Sequence, residues 1–255
     1  MGDHSGIEWT DATWNPVTGC DRVSDGCTNC YALTLAKRLK AMGNPRYQVD
    51  GNSKSSGPGF GLTLHDDVLS VPLRWKAPRF VFVNSMSDLF HPRVPRSFIT
   101  DVFAVMEEAG QHTYQILTKR PERMAAIISQ VRPHPLPNVW LGTSIELDRF
   151  ARRADAVRDT PAVVRFLSLE PLLGPLPSLN LGGIDWVIAG GESGYSHRPL
   201  DLDWVRDLRD HCVEAGASFF FKQVGGRTPK AGGRQLDGRT WDQMPAIPND
   251  GSRGA

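Results

Sequence analysis

The sequence predicts an α/β fold with a parallel sheet, open and doubly wound or rolled into a partial TIM-like barrel, and three observations bear on it. Short, almost continuously apolar runs recur along the 255 residues, as strands buried on both faces require. Amphipathic segments fall between them, and the alternation repeats six or seven times. That repeat predicts right-handed crossovers. Finally, no glycine-rich phosphate loop follows the first strand, so an open nucleotide-binding sheet loses its main support.

The elements follow in order. A first strand is expected in "ATWNPVTG", directly before a cluster of cysteines. A helix follows Cys30, with Ala32, Leu35, Ala36 and Leu39 at helical spacing. "GNSKSSGPGFG" opens an insertion near 51–75. The next strand is "RFVFVNS". After it, Ile99, Val102, Phe103 and Met106 stripe a helix for which Gly110 is the expected C-cap. "TYQILT" is followed by a helix with Pro121 in its first turn, where the missing N–H costs nothing. "NVWLGTS", "VVRFLSL", "DWVIAG" and "SFFFKQ" complete the strands. "ELDRFARRADAVRD" and "DLDWVRDLRDHCVEAG" supply two further helices. Residues 1–225 are thus expected to form the partial barrel with its insertion, and 226–255 a loop-rich extension.

Bulk properties limit the function classes. A formal net charge of +1 gives no reason to invoke a strong field for nucleic acid or membrane, although local basic clusters leave nucleic acid open. "MGDHSGIEWTD" lacks the charged and apolar segments of a signal peptide, and no apolar run reaches membrane-spanning length. The expected location is cytoplasmic, with no membrane partner. Stable disulfides are disfavoured there.

Polar residues cluster after the strands. Ser85 and Asp88, Lys119 and Arg120, Ser144 and Glu146, Glu170, Glu192, and Lys222 all follow apolar runs. In a parallel α/β fold these ends share one rim, where ligand sites form. For any single residue, capping or a rim ion pair is the competing explanation.

Cys20, Cys27 and Cys30 join that rim. Their spacing, C-x6-C-x2-C, supplies three ligands where structural zinc wants four. Cys212 falls in register with Val205 and Leu208 on an apolar helix face, so core packing suits it better. His91 or His197 could complete a zinc site, and spacing alone leaves zinc and iron–sulfur comparable. Placement on the first strand–helix loop of a parallel barrel tilts the balance toward a [4Fe–4S] cluster. Three thiolates would leave one iron open to the amino and carboxylate groups of S-adenosylmethionine.

The motifs "IEWTDATWNPVTGC", "CTNCYA", "PLRWKAPRFVFVNSMSDLFHP", "HTYQILTKRPERM", "PNVWLGTSIE", "VRFLSLEPLLGPL", "DWVIAGGESG" and "SFFFKQVGG" run in order through nearly the whole chain. Together they resemble the phage-type three-cysteine-motif family, the phage gene-product 37 / gene-product 68 family, a domain of unknown function. The resemblance implies a partial (β/α)6 barrel of the radical S-adenosylmethionine type with an extra C-terminal strand and extension. It also points to a three-Cys-motif partner protein. The wider superfamily spaces its first two cysteines by three residues and places an aromatic before the third; this chain has six residues there and Asn29.

The expected function is a radical S-adenosylmethionine enzyme, its substrate a nucleic acid or nucleotide, served by an external electron donor. The alternative is a noncatalytic zinc-stabilised binding protein on the same scaffold. Cys20, Cys27 and Cys30 are the expected metal ligands. Ser85 and Asp88 are assigned to the cofactor ammonium, and Ser144 and Glu146 to its ribose hydroxyls. Gly190 and Gly191 would allow close backbone approach, with Glu192 an acceptor. Lys119, Arg120, Glu170 and Lys222 are the expected catalytic residues, with His197 and Arg198 adding phosphate-binding charge.

Overall fold

A computed structural model describes residues 5–228 and 230–246. Seven strands form one parallel sheet: β1 (Ala12–Trp14), β4 (Phe80–Val83), β5 (Thr113–Thr118), β6 (Val139–Ser144), β7 (Val164–Leu169), β8 (Trp186–Gly190) and β9 (Ser218–Gln223), paired in that order. β2 (Val17–Thr18) and β3 (Thr63–Leu64) make a small antiparallel pair, as do β10 (Gln235–Leu236) and β11 (Arg239–Thr240). The helices are α1 (Tyr31–Ala41), α2 (Arg96–Glu108), α3 (Pro121–Val131), α4 (Arg153–Arg158) and α5 (Leu202–Ala215). Six strands of the main sheet coincide with apolar runs read from the sequence, and β1 falls within the segment "ATWNPVTG" expected to hold the first strand.

The sheet curls into a half-barrel. Trp9 packs edge-on against Phe82 of β4, with ring centroids 4.9 Å apart, and against Trp186 of β8 at 5.9 Å. Trp140, Phe166 and Phe220 complete this aromatic interior. Bulky rings fit because β6 carries Gly142. A Cβ there would stand 2.5 Å from the Phe166 carbonyl oxygen and 2.7 Å from its ring carbons. The opposite sheet face buries a larger aliphatic core under the helices, including Ile99, Val102 and Met106 of α2.

The β7–β8 connection is an irregular segment that Leu172, Leu176, Leu179 and Leu181 bury against the core. Two local expectations need correction. α2 ends at Ala109 (φ −90°, ψ 51°) rather than on a left-handed glycine at 110, whereas Gly216 (φ 70°) does cap α5. The helix expected in "ELDRFARRADAVRD" is split into a 3-10 turn at Asp148–Phe150 and the short α4, whose first residue Arg153 turns inward to the Ser144 carbonyl and the Glu146 carboxylate.

The described part of the C-terminal segment covers a sheet edge. Phe221 N–H donates to the Trp241 carbonyl at 2.8 Å, and Gln243 N–H to the Phe219 carbonyl at 3.2 Å. Trp186 Nε1 donates to the Gln243 carbonyl at 2.9 Å. These bonds satisfy groups on β9 that an uncovered edge would expose. Residues 247–255 of the expected extension lie outside the described residues.

Candidate metal and cofactor site

The three clustered cysteines lie between β2 and α1, beyond the C-terminal ends of the strands. Gly19 (φ 84°) delivers the chain to Cys20, and a Cβ there would fall 2.2 Å from the Gly61 carbonyl oxygen. Asp25–Cys27 form a single 3-10 turn, and Cys30 directly precedes α1. All three thiols are free and half-buried.

Four strand ends hold this loop. Beyond β6, Glu146 Oε1 accepts the Gly26 N–H at 3.0 Å, while its Oε2 takes Arg153 Nη1 at 3.0 Å. Beyond β8, Glu192 Oε2 accepts Asn29 Nδ2 at 3.0 Å; Arg198 binds the same carboxylate and donates to the Asp25 carbonyl at 3.1 Å. Beyond β5, Arg120 Nη1 stands 3.6 Å from Cys20 Sγ, and its Nη2 donates to the Asp21 carbonyl at 3.1 Å. Beyond β4, Asp88 fixes that guanidinium at 2.7 Å and also accepts from Thr118 Oγ1 at 2.7 Å.

Two of these carboxylates, Glu146 and Glu192, titrate below their ordinary values. Burial raises Glu146, but Lys119, Ser24, Arg153 and the Gly26 N–H outweigh it and hold the carboxyl below the usual range. Burial likewise opposes, and bonds from Arg198 and Asn29 overcome it, so Glu192 is also held low. Burial pushes the Cys20 thiol up to about 12; Asp88 adds to the rise and Arg120 works against it. Cys30 is raised by burial as well.

A cavity of about 700 Å³ opens at this mouth, large enough for a cofactor-sized ligand. Cys20, Cys27 and Cys30 line it together with Ser85, Asp88, Lys119 and Arg120 from the β4 and β5 ends. Ser144, Glu170, Gly191, Glu192 and Lys222 line the other wall. Lys222 Nζ reaches Glu170 at 2.7 and 2.9 Å, and Gln223 Nε2 donates to the same carboxylate at 2.8 Å.

Two residues expected at the cofactor do not reach the cavity. Glu146 is fully buried behind the cysteine loop, engaged by Gly26 and Arg153. Gly190 is absent from the lining. Gly191 does line it, but its missing side chain serves the fold: a Cβ would sit 1.9 Å from the Val224 carbonyl oxygen. Cys212 is fully buried in the aliphatic core, apart from the other three thiols. His91 faces Asp21 through Nε2 at 2.9 Å.

Sequence reasoning passed over Trp9, Asn84 and Arg153, and it read Arg198 as phosphate-binding charge where the structure pairs it with Glu192. Asn84 had a readable signal, an amide closing the apolar strand "FVFVN". The others acquire roles only through contacts between distant segments.

Among the described residues, no group of three or more His, Cys, Asp and Glu side chains is arranged to hold a single metal ion. A four-iron cube draws each thiolate to a different iron, so its ligands need not converge on one point as those of zinc must. The donor set, three free thiols on one cavity wall with cationic neighbours, fits such a cluster better than it fits zinc.

Fold and site together define a parallel α/β half-barrel with a thiol-bearing mouth over a ligand-sized cavity. The chain belongs to the family described as Protein of unknown function (DUF5131), whose profile matches residues 4–245. No curated protein matches it. Two solved structures are similar to it. One is a cysteine-to-alanine mutant of spore photoproduct lyase with dinucleoside spore photoproduct, at 11% identity and TM-score 0.44, covering 76% of this chain and 58% of that one. The other is spore photoproduct lyase complexed with dinucleoside spore photoproduct, at 11% identity and TM-score 0.39, covering 77% and 59%. The chain therefore spans less than two thirds of those chains, and at this level of similarity neither assigns it an activity. Among the described residues, no helix is long and apolar enough to cross a membrane.

Proposed function

We propose that this chain is a radical S-adenosylmethionine enzyme acting on a nucleic acid or nucleotide, with Cys20, Cys27 and Cys30 holding a [4Fe–4S] cluster. One observation carries the reading: three free thiols on the loop after the first barrel strand line one cavity at the sheet's C-terminal mouth. When bound, the cluster and S-adenosylmethionine would together supply reductive sulfonium cleavage and a 5′-deoxyadenosyl radical, the electron coming from an external donor.

The protein's own work is placement. Glu146, Glu192 and the Asp88–Arg120 pair fix the thiol-bearing loop to the barrel. Ser85, Ser144 and Gly191 offer hydroxyl and backbone groups to a cofactor. The Lys222–Glu170 pair and Lys119 offer charge to a substrate. Trp9, Phe82 and Leu117 form an apolar floor that keeps water from the reacting end. Positional accuracy matters because ångström-scale misplacement costs large factors in rate. The three-Cys-motif partner protein belongs to this reading as an associate, outside the chemistry.

Anaerobic reconstitution tests the proposal. About four irons and four sulfides per chain, with 5′-deoxyadenosine formed on reduction with S-adenosylmethionine, are expected. Stoichiometric zinc with no iron uptake would replace this reading with the zinc-stabilised binding protein.

A further inference from the structure

The cavity floor carries an imbalance of hydrogen-bonding groups. Trp9 is 5% exposed and Asn84 3% exposed, and both line the cavity. Trp9 Nε1 and Asn84 Nδ2 have no hydrogen-bond partner. Both residues adjoin Phe82: the Trp9 ring packs edge-on against it, and Asn84 follows two positions along the chain. Asn84 is also held with φ at 62°, its Oδ1 accepting the Val17 N–H at 3.2 Å, so the amide orientation is fixed with its nitrogen left over. Buried donors are rarely left unpaired, and unusual backbone geometry concentrates at ligand sites.

Four acceptor groups of the same cavity, on Asn15, Asp88, Glu170 and Glu192, are already engaged. Asn15 Oδ1 takes Ser85 Oγ and the Met86 N–H. Asp88, Glu170 and Glu192 are each bound by cationic side chains. The floor therefore offers donors and needs a ligand that brings acceptors. Both donors are neutral, which suits a carbonyl oxygen better than an ionised group. Their setting among Trp9, Phe82 and Leu117 suits the faces of a planar ring.

We infer that this floor is a recognition subsite for a ring-carbonyl heterocycle, a keto-nucleobase, whose one or two exocyclic carbonyl oxygens accept from the donor pair Trp9 Nε1 and Asn84 Nδ2. The inference rests on the reading of the cavity as the substrate site and narrows its substrate class. Keto and amino bases present opposite groups at matched positions, so the subsite discriminates between them.

Equilibrium dialysis of the full-length protein against two matched pairs, inosine with adenosine and uridine with cytidine, tests this. The keto member of each pair should bind about tenfold tighter, the difference expected for one buried donor left satisfied or unsatisfied. Asn84→Asp replaces the donor with an acceptor and should erase or invert the preference. Trp9→Phe keeps the ring, removes the N–H and should weaken keto binding severalfold, which gives a second reading if the first variant fails to fold. Equal binding within each pair, an amino preference, no saturable binding, or an unchanged preference in both folded variants would overturn the inference. Dialysis needs no radical chemistry: keto selectivity in a protein that takes up no iron would sink the enzyme proposal and leave this subsite standing.

Discussion

Glu146 accepts the backbone N–H of Gly26 at 3.0 Å from behind the cysteine loop, and Gly26 lacks the side chain that would crowd it: a Cβ there would lie 3.1 Å from Glu146 Oε1. The carboxylate is fully buried and paired with Arg153, itself 8% exposed. Removing one partner of such a pair leaves an uncompensated charge. Glu146→Ala should cost about 3–5 kcal/mol in chemical denaturation and loosen the thiol loop toward proteolysis. Glu146→Gln, which keeps an acceptor for Gly26, should cost less. Equal stability of Glu146→Ala and the parent would contradict this account.

The four cysteines should separate cleanly on substitution. Single alanine changes at Cys20, Cys27 or Cys30 are expected to abolish iron loading during anaerobic reconstitution, because a cube needs its thiolates. Cys212→Ala should retain full iron content, since its thiol lies in the aliphatic core, and should cost about 1 kcal/mol as a small core truncation. Iron content per chain is the measurement. Wild-type iron in any of the first three variants removes that cysteine as a ligand.

Gly142→Ala should destabilise the barrel by about 1–3 kcal/mol, the range for forced overpacking. The new methyl would meet the Phe166 backbone and ring inside the half-barrel, where neither can retreat. Thermal melting with near-ultraviolet circular dichroism, which reports the Trp140 and Trp186 environment, provides the check. An unchanged aromatic signal and melting temperature would show that the interior has slack.

Acid should release the loop before it unfolds the barrel. Glu146 and Glu192 are held below their ordinary 4.5, and Asp21 is lowered from 3.8 to about 2. At Asp21 burial opposes the shift, while bonds from Ser55, His91 and Ser56 outweigh it. A lowered folded value means the unfolded chain binds protons first. The stabilisation is therefore complete above the ordinary carboxylate range and is lost as pH falls through it toward the folded values. Proteolytic cutting within residues 20–30 should rise below about pH 4.5 in the parent. In Glu192→Gln, where that titration is gone, the rise should be shallower. A susceptibility independent of pH between 5 and 3 would rule this out.

Six strands of the main sheet were readable because strands buried on both faces leave unbroken apolar runs such as "TYQILT" and "DWVIAG". The cysteine positions were equally plain. What the sequence concealed was the direction of polar side chains at the rim. Asp88, Glu146 and Glu192 looked like cofactor ligands, yet each spends its oxygens on protein donors, and Glu146 does so outside the cavity. Asn29, which departs from the wider superfamily's aromatic, bonds Glu192 and the Ser196 carbonyl; that pairing exists only after residues far apart in sequence meet.

The ties that hold the thiol loop also set the order in which the molecule can be assembled. Arg120 reaches Cys20 across 100 residues, Gly26 meets Glu146 across 120, and Asn29 meets Glu192 across 163. Contacts of such separation form only after their closure entropy has been met by the strands between them. The thiols thus have no defined mutual arrangement in the nascent or partly folded chain. A metal offered early meets three loosely tethered sulfurs that can bind it in any geometry; the same metal offered late meets a loop already fixed at several points to the barrel. On the proposed cluster reading, correct loading would be a late event, dependent on completion of β8, and iron supplied to refolding protein should give more heterogeneous products than iron supplied to the folded chain.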